Sequence, residues 1–440
     1  MNGNFSKRDF ILLALVLFSM FFGAGNLIFP PMVGKLAGTN LAAAMLFFGI
    51  TAVVLPVLGM MAMAKTRGLP NLGERVGTKF SVFFTIVIYM SIGPCLAIPR
   101  AGSVPFEMAI APYLPHGFSG RWALLAYTVV FFTAAGIISV MDDKKMQKLM
   151  GNILTPTLLT MLLALFAASL FADMPPYRAP QDAYALHPML KGFVDGYLTM
   201  DTLAALNFGL VITLSIEAHG IFDQKKIRGI NVKISLIAGI ILFLIYLMLA
   251  DIGAKSAALF PDTTNGAQIL ANVSNRLFGK FGAVIIALIF TLACLTTCVG
   301  LLASISHYFL TLIPRLSYRR WVILWTLISF VLANIGLDGI LKYNIPVLTA
   351  IYPVSIMLIV LALCEKIVGT GAYMYRCTVY TTALISVVNA LDQASVALPL
   401  LTALIRKLPM YSSGLGWLIP AFAVFTLSAA AEKIIAKSKS

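Results

Sequence analysis

Charged side chains are scarce in this chain of 440 residues. Asp, Glu, Lys and Arg together make up 11% of it and hydrophobic residues 60%, whereas about a quarter of a soluble domain is charged. Apolar runs of roughly 20 residues, the length that crosses a bilayer, recur along the whole sequence. The composition excludes a soluble globular protein and predicts an all-α polytopic membrane protein.

Cysteine and histidine are also rare, with five cysteines and four histidines in the chain. The cysteines lie in or beside apolar segments, without the paired spacing of a disulfide framework. Cys294 and Cys298 share a helix face, where we interpret them as small apolar residues rather than metal ligands. The sequence has no H-E-x-x-H motif and no Ser/His pair in register. We therefore expect no cofactor and no enzymatic activity.

Twelve apolar segments are predicted to span the membrane. They cover residues 9–33, 40–64, 80–111, 120–141, 151–172, 192–216, 231–251, 281–312, 320–336, 345–364, 374–398 and 415–436. We expect the first to be retained as a span, because no small-residue cleavage site follows it. The longest polar connection, 254–280, is expected to form a short helical cap on the outer side.

Acidic residues are outnumbered, with 17 Asp and Glu against 32 Lys and Arg and a net charge of +15. The basic residues concentrate in alternate loops, as in Lys144, Lys145 and Lys148 after the fourth segment. Because cytoplasmic loops are rich in Lys and Arg, this bias predicts that both termini are cytoplasmic. The basic excess thus reflects topology and contact with lipid, and it does not indicate nucleic-acid binding.

The first segment contains helix-breaking residues in its middle. Gly23, Ala24, Gly25 and Asn26 form a Gly-Ala-Gly-Asn step, and two prolines follow at 30 and 31. Glycine weakens a helix and proline lacks a donor, so we predict that the helix comes undone around Gly23 to Asn26. A broken helix at membrane depth indicates a binding site in transporters. The alternative is a kink that only helps helices to pack.

The sixth segment repeats this anomaly. Its apolar part begins only at Leu203, so a polar, glycine-bearing half-helix must complete the span, with a break near Tyr197 to Asp201. An intramembrane acid such as Asp201 marks an ion, proton or substrate path. Alternatively, Asp201 caps the second half-helix. The two roles are compatible.

Two further spans carry polar residues. In the eighth, Thr296 and Thr297 are adjacent and Ala293 lies one turn earlier. Their oxygen atoms suit an uncharged Na⁺ site. The alternative is that the two hydroxyls only bond to carbonyls of their own helix. In the third, Arg100 is expected to form an outer-gate or structural ion pair, with Glu107 or with an acid from another helix, rather than to contact substrate.

Breaks in the first and sixth spans divide the chain into two units of five. Because five is odd, the second unit starts from the opposite side of the membrane, which predicts an inverted repeat with the site between the two breaks. The units are 1–172 and 173–364, the latter with the outer loop 254–280, and 365–440 adds two peripheral helices.

Several motifs resemble the bacterial branched-chain amino acid carriers, which are cation symporters. They are FFGAGNLIFPP (21–31), GPCLAIPRAG (93–102), GYLTMDTLAAL (196–206), NGAQIL (265–270), LACLTT (292–297) and IPVLTAIYP (345–353). The resemblance implies the leucine-transporter fold, with five plus five inverted helices and two extra ones. It also implies cation-coupled uptake of leucine, isoleucine and valine.

The resemblance further implies where ligands bind. Backbone N–H groups of Ala24, Gly25 and Asn26 would hold the substrate carboxylate, while Thr199 and Asp201 fall in the unwound part of the sixth span that faces the ammonium. Na⁺ would be held by the carbonyls of Ser19, Phe22 and Ala293 and by the hydroxyls of Thr296 and Thr297. By position, the aliphatic side chain would contact Ile98, Tyr197, Met200 and Leu203.

Departures from the fold's pattern bear on the ion. Better-known members have no acid at the position of Asp201. No asparagine lies in the middle of the seventh span, which favours one ion per substrate, and residues 155–172 carry no charge, which favours Na⁺ over a proton. The alternatives are a proton-coupled carrier for other neutral amino acids and, more distantly, a membrane-embedded enzyme or a channel. The oligomeric state stays open.

Overall fold

The computed structural model describes residues 5–114, 119–335, 337–396 and 398–438, with side chains described over the same ranges except 337–345, 433 and 435–438. Gly336, the predicted end of the ninth segment, and the side chain of Ile345, the predicted start of the tenth, lie outside this description. Residues 1–4 of the predicted unit 1–172 and residues 439–440 of the predicted unit 365–440 are likewise outside it.

Helices are the regular secondary structure of the described residues. Its α-helices are α1 Lys7–Phe21, α2 Ala24–Ala37, α3 Leu41–Gly49, α4 Leu55–Thr66, α5 Leu69–Glu74, α6 Thr78–Met90, α7 Ala97–Ala109, α8 Gly120–Val140, α9 Asp143–Leu149, α10 Thr155–Phe171, α11 Ala183–Leu186, α12 Pro188–Asp195, α13 Asp201–Glu217, α14 Gln224–Ser256, α15 Gly266–Phe278, α16 Lys280–Leu312, α17 Tyr318–Ala333, α18 Leu337–Val368, α19 Ala372–Gln393, α20 Pro399–Ile405 and α21 Leu418–Ser438. Within these ranges there is no β-strand, so the all-α prediction is confirmed.

Fewer long apolar helices are found among the described residues than the twelve predicted spans. Among the described residues, seven helical segments are long and apolar enough to cross a bilayer, and an eighth span results if α12 and α13, bent by 41°, are taken together. Each of the twelve predicted segments contains a helix. Some of these helices are short for a span, such as α1 with 15 residues and α17 with 16. The count of twelve spans stays a prediction.

The first span breaks between α1 and α2. Phe22 leaves the helical region with φ −77° and ψ 87°, and Gly23 is extended, with φ −120° and ψ −155°. The break is shorter and lies earlier than predicted, because Asn26 Oδ1 accepts the Gly23 N–H at 3.0 Å and lets the helix restart at Ala24. Ala24, Gly25 and Asn26 therefore form the first turn of α2, where N–H groups have no acceptor within the helix.

The sixth span breaks between α12 and α13, where the sequence predicted it. A 3₁₀ turn covers Gly196–Thr199, and Met200 takes the left-handed conformation with φ 70°, which is uncommon for a residue with a side chain. Gly196 is needed here, because a Cβ at this position would lie 1.8 Å from Thr51 Oγ1. The new helix then starts at Asp201.

The third span is broken as well, which the sequence analysis did not predict. A π-helical turn, Ser91–Cys95, ends α6, and Gly93 within it has non-helical torsions of φ −86° and ψ −124°. The chain re-enters a helix at Ala97. Arg100 therefore lies in the first turns of a new helix, close to the two other breaks.

Helix packing brings the breaks together. The first span (α1, α2) packs against α14, the sixth (α12, α13) packs against the second (α3, α4), and α7 packs against α16. The connection 254–280 contains α15, which packs on α2 and α16, so its predicted helical character is confirmed. Near the carboxyl terminus of the chain, α19 packs against α18 and α21.

Candidate functional site

The three broken spans and α16 surround a small buried cavity of about 30 Å³. Such a space is large enough for a water molecule. Its lining residues come from every break: Met20, Phe21, Gly23, Ala24, Asn26, Ile92, Ala97, Arg100, Ala101, Thr199, Met200, Asp201, Ala204, Thr297 and Leu301. An aliphatic amino acid needs more space, so it fits here only after the surrounding helices have moved.

Asp201 is the acidic group of this cavity and is 1% exposed. Its carboxylate accepts hydrogen bonds from Asn26 Nδ2 at 2.8 and 3.0 Å and from the hydroxyl of Tyr246 on α14 at 2.6 Å. The Asn26 amide also contacts the Tyr246 hydroxyl. These partners are side chains on other helices, so Asp201 joins the first, sixth and seventh spans and does more than cap its own helix.

A cluster of neutral oxygen atoms lies where α16 passes the end of α1. Because the Gly23 N–H bonds to Asn26, the carbonyl of Ser19 lacks its usual helical partner. It instead accepts the hydroxyls of Thr296 at 2.9 Å and Thr297 at 3.3 Å. The Thr296 hydroxyl is also 3.1 Å from the Ala293 carbonyl. The predicted ion ligands Ser19, Ala293, Thr296 and Thr297 are thus brought together.

Glycines let these elements approach each other closely. A Cβ on Gly23 would lie 2.8 Å from the Thr297 hydroxyl oxygen, and one on Gly25 would lie 2.9 Å from Nη2 of Arg100 and 3.2 Å from the carbonyl oxygen of Leu198. Side chains at either position would push the first span away from its neighbours. The Gly-Ala-Gly-Asn step therefore serves close contact as well as the break.

Not every predicted residue reaches the cavity. Tyr197 stacks on Tyr352 with ring centroids 4.5 Å apart and does not line it. Of the predicted side-chain contacts, Met200 lines the cavity, whereas Ile98 and Leu203 are 0% exposed and are not among its lining residues. The ring of Phe22 stacks on Phe18, which leaves only its carbonyl as a ligand candidate.

Several residues that line the cavity were not predicted from the sequence. Ala204 lies one turn after Asp201, and Leu301 lies one turn after Thr297, so helical periodicity from these polar residues could have found both. Met20 and Phe21 directly precede the first break. Ile92 and Ala97 could have been found only by predicting the break in the third span.

A helical chain whose apolar spans break around a cavity with a buried carboxylate and a buried guanidinium defines the class of multi-pass membrane transporters. The solved structure of Mhp1, a nucleobase-cation-symport-1 family transporter in a closed conformation with bromovinylhydantoin bound, is similar to it with a TM-score of 0.61. That match covers 98% of this chain and 93% of Mhp1 at 12% identity, and it shows a shared fold of the leucine-transporter type.

Sequence comparisons define the family. The family described as "Branched-chain amino acid transport protein" matches residues 6–435. The branched-chain amino acid permease BraB of Bacillus subtilis is 37% identical, over 96% of this chain and 94% of BraB. The branched-chain amino acid transport system 2 carrier protein of Pseudomonas aeruginosa is 35% identical, over 98% of each chain. The permease BrnQ of Escherichia coli K12 is 34% identical, over 97% of this chain and 96% of BrnQ.

The chain therefore belongs to the branched-chain amino acid transport family, and the predicted family resemblance is confirmed. It is a transporter rather than an enzyme, as predicted.

Proposed function

We propose that the protein takes up leucine, isoleucine and valine together with Na⁺, by alternating access across the bacterial inner membrane. The observation that carries this proposal is the meeting of two broken helices at one buried cavity, with an oxygen cluster beside it. The relatives named as branched-chain amino acid permeases support the substrate class. The Lys and Arg bias of the loops supports cytoplasmic termini.

The substrate carboxylate would bind at the amino-terminal end of α2. There the N–H groups of Ala24, Gly25 and Asn26 have no acceptor in their own helix, and the helix dipole favours negative charge. The ammonium would face Thr199 and the carboxylate of Asp201, which line the cavity from the sixth break. Tyr197 would support the conformation of this break without touching the substrate, because its ring stacks on Tyr352.

Na⁺ would bind in the oxygen cluster beside the cavity. Its ligands would be the carbonyls of Ser19, Phe22 and Ala293 and the hydroxyls of Thr296 and Thr297. This donor set fits the ion, because unwound carbonyls and neutral hydroxyls suit a hard cation of single charge. The hydroxyls that now bond to Ser19 would rotate and present lone pairs to the ion.

The packing supports an inverted repeat of five plus five helices, with two extra helices and twelve spans in all. The first span packs on the seventh and the sixth packs on the second, which is the exchange of partners that an inverted two-fold relation produces. In this proposal the units are 1–172, 173–364 and 365–440. The repeats would move against each other around the site, and so would open a cavity that is closed to an amino acid in this structure.

Uptake into proteoliposomes tests the proposal. Radiolabelled leucine should accumulate under an inward Na⁺ gradient, isoleucine and valine should compete, and alanine should compete weakly. The main alternative is proton coupling, which the buried carboxyl group of Asp201 would serve. Uptake that persists without Na⁺ and stops with an uncoupler would establish proton coupling and would contradict Na⁺ symport.

A further inference from the structure

Arg100 is the buried cation of the cavity. It lies on α7, is 6% exposed and lines the cavity. The hydrogen-bond contact that the structure gives this group is a long one, from Nη1 to the carbonyl of Leu198 at 3.5 Å. Its Nε has no hydrogen-bond partner. Within the described residues, Arg100 belongs to none of the ion pairs.

A buried guanidinium without a contact ion pair is costly, because burial removes its hydration. The acid of the cavity, Asp201, attracts the guanidinium electrostatically but makes its hydrogen bonds to Asn26 and Tyr246. The predicted role of Arg100 as a structural ion pair is therefore not supported among the described residues. Its position instead suits a partner that is not part of the chain.

A second positive group lies beside the guanidinium. Gly25, in the first turn of the 14-residue helix α2, has no side chain, and a Cβ there would lie 2.9 Å from Arg100 Nη2. The positive end of the helix dipole and the guanidinium thus face the same cavity from adjacent positions. Two positive groups in a buried space attract an anion, and a planar carboxylate matches the fork of a guanidinium.

We propose that Arg100 binds the α-carboxylate of the substrate, together with the first-turn N–H groups of α2. Arg100 then determines specificity for amino acids over amines of the same shape. The cavity presents charges of both signs, Arg100 and Asp201, as a zwitterion requires. This inference rests on the proposed function, because it assigns a further residue to the same substrate site.

The test compares leucine with leucinol, which keeps the ammonium and the side chain but lacks the carboxylate. The dissociation constants of both compounds are measured for purified full-length protein from ligand-dependent shifts in thermal unfolding, at saturating Na⁺. Arg100→Gln should weaken leucine binding about 10- to 100-fold, the effect of losing a charge-assisted contact. Leucinol binding should stay nearly the same, so that the preference for leucine falls.

Two further variants make the comparison specific. Arg100→Lys keeps the charge but loses the planar fork, so its preference for leucine should lie between those of the wild type and Arg100→Gln. Arg276→Gln makes the same change at an exposed arginine on α15 and should leave both constants unchanged.

Equal weakening of leucine and leucinol in Arg100→Gln would show a structural role and would overturn the proposal, as would an unchanged preference. If Arg100→Gln does not fold, Arg100→Lys decides, and a wild-type preference in that variant contradicts the proposal. A wild-type protein that binds neither compound would overturn the proposed function itself. That result is distinct from leucine binding that does not depend on Arg100.

Discussion

Removing the hydroxyl of Thr297 tests the ion site most directly. In Thr297→Ala, the Ser19 carbonyl loses a contact at 3.3 Å but keeps the Thr296 hydroxyl at 2.9 Å. One of the five proposed oxygen ligands disappears, while both helices keep their positions. We expect the variant to fold and to bind Na⁺ less tightly.

The magnitude follows from the loss of one polar partner in a buried site. Such a loss costs about 1–3 kcal/mol, which corresponds to a rise of about 5- to 150-fold in the Na⁺ concentration that half-saturates uptake. At saturating Na⁺ the ion again fills the site, so leucine affinity should stay close to that of the wild type.

Initial rates of leucine uptake into proteoliposomes, measured against Na⁺ concentration, provide the assay. Thr297→Ser retains the hydroxyl and should restore most of the Na⁺ affinity. Thr311→Ala makes the same change near the carboxyl-terminal end of α16. There the hydroxyl bonds to the carbonyl of Tyr308 in its own helix at 2.6 Å. This control should behave like the wild type.

Either of two results would refute the reasoning. An unchanged Na⁺ dependence in Thr297→Ala would mean that this oxygen is not an ion ligand. An equal loss of leucine affinity at saturating Na⁺ would mean that Thr297 acts on the substrate or on the packing of α1 against α16, and not on the ion.

Two further predictions concern the contacts of α14. Tyr246→Phe removes the 2.6 Å bond to Asp201, so leucine binding by titration calorimetry should weaken by about 1–3 kcal/mol; unchanged binding would show that this bond does not position the acid. In Gly253→Ala a Cβ would lie 1.9 Å from the carbonyl oxygen of Pro31, so the unfolding temperature in detergent should fall. Gly229→Ala on the same helix meets nothing within 4 Å and should be neutral or stabilising, because alanine favours helices. Equal unfolding temperatures for the two glycine variants would argue against close packing of α2 on α14.

Much of the fold follows from local chemistry. Long apolar runs in a chain of low charge predict membrane-spanning helices, because a helix pairs its backbone N–H and C=O groups within one segment and lipid offers no other partners. Glycine and proline positions therefore predicted the break between α1 and α2, and the change from polar to apolar residues near Asp201 predicted the break before α13. The third break was missed, because residues 80–111 were treated as one continuous span.

The site residues divide in the same way. Asn26, Asp201 and Thr297 could be found from the sequence, because polar groups at membrane depth are costly and need a reason. The partners of these residues could not be found. Asn26 bonds to Asp201 across 175 positions of the chain, and Thr296 bonds to Ser19 across 277; no local pattern carries such pairings.

Arg100 shows most clearly what packing decides. From the sequence, Arg100 was predicted to form an ion pair, with Glu107 on the same helix as one candidate partner. The tertiary structure instead brings its guanidinium to the amino-terminal end of α2, beside a glycine that leaves room for it. Sequence determined which segments are helical and where two of them break. Only the packing of distant helices decided which charges, hydroxyls and carbonyls face one another, because those contacts depend on how whole spans fit together.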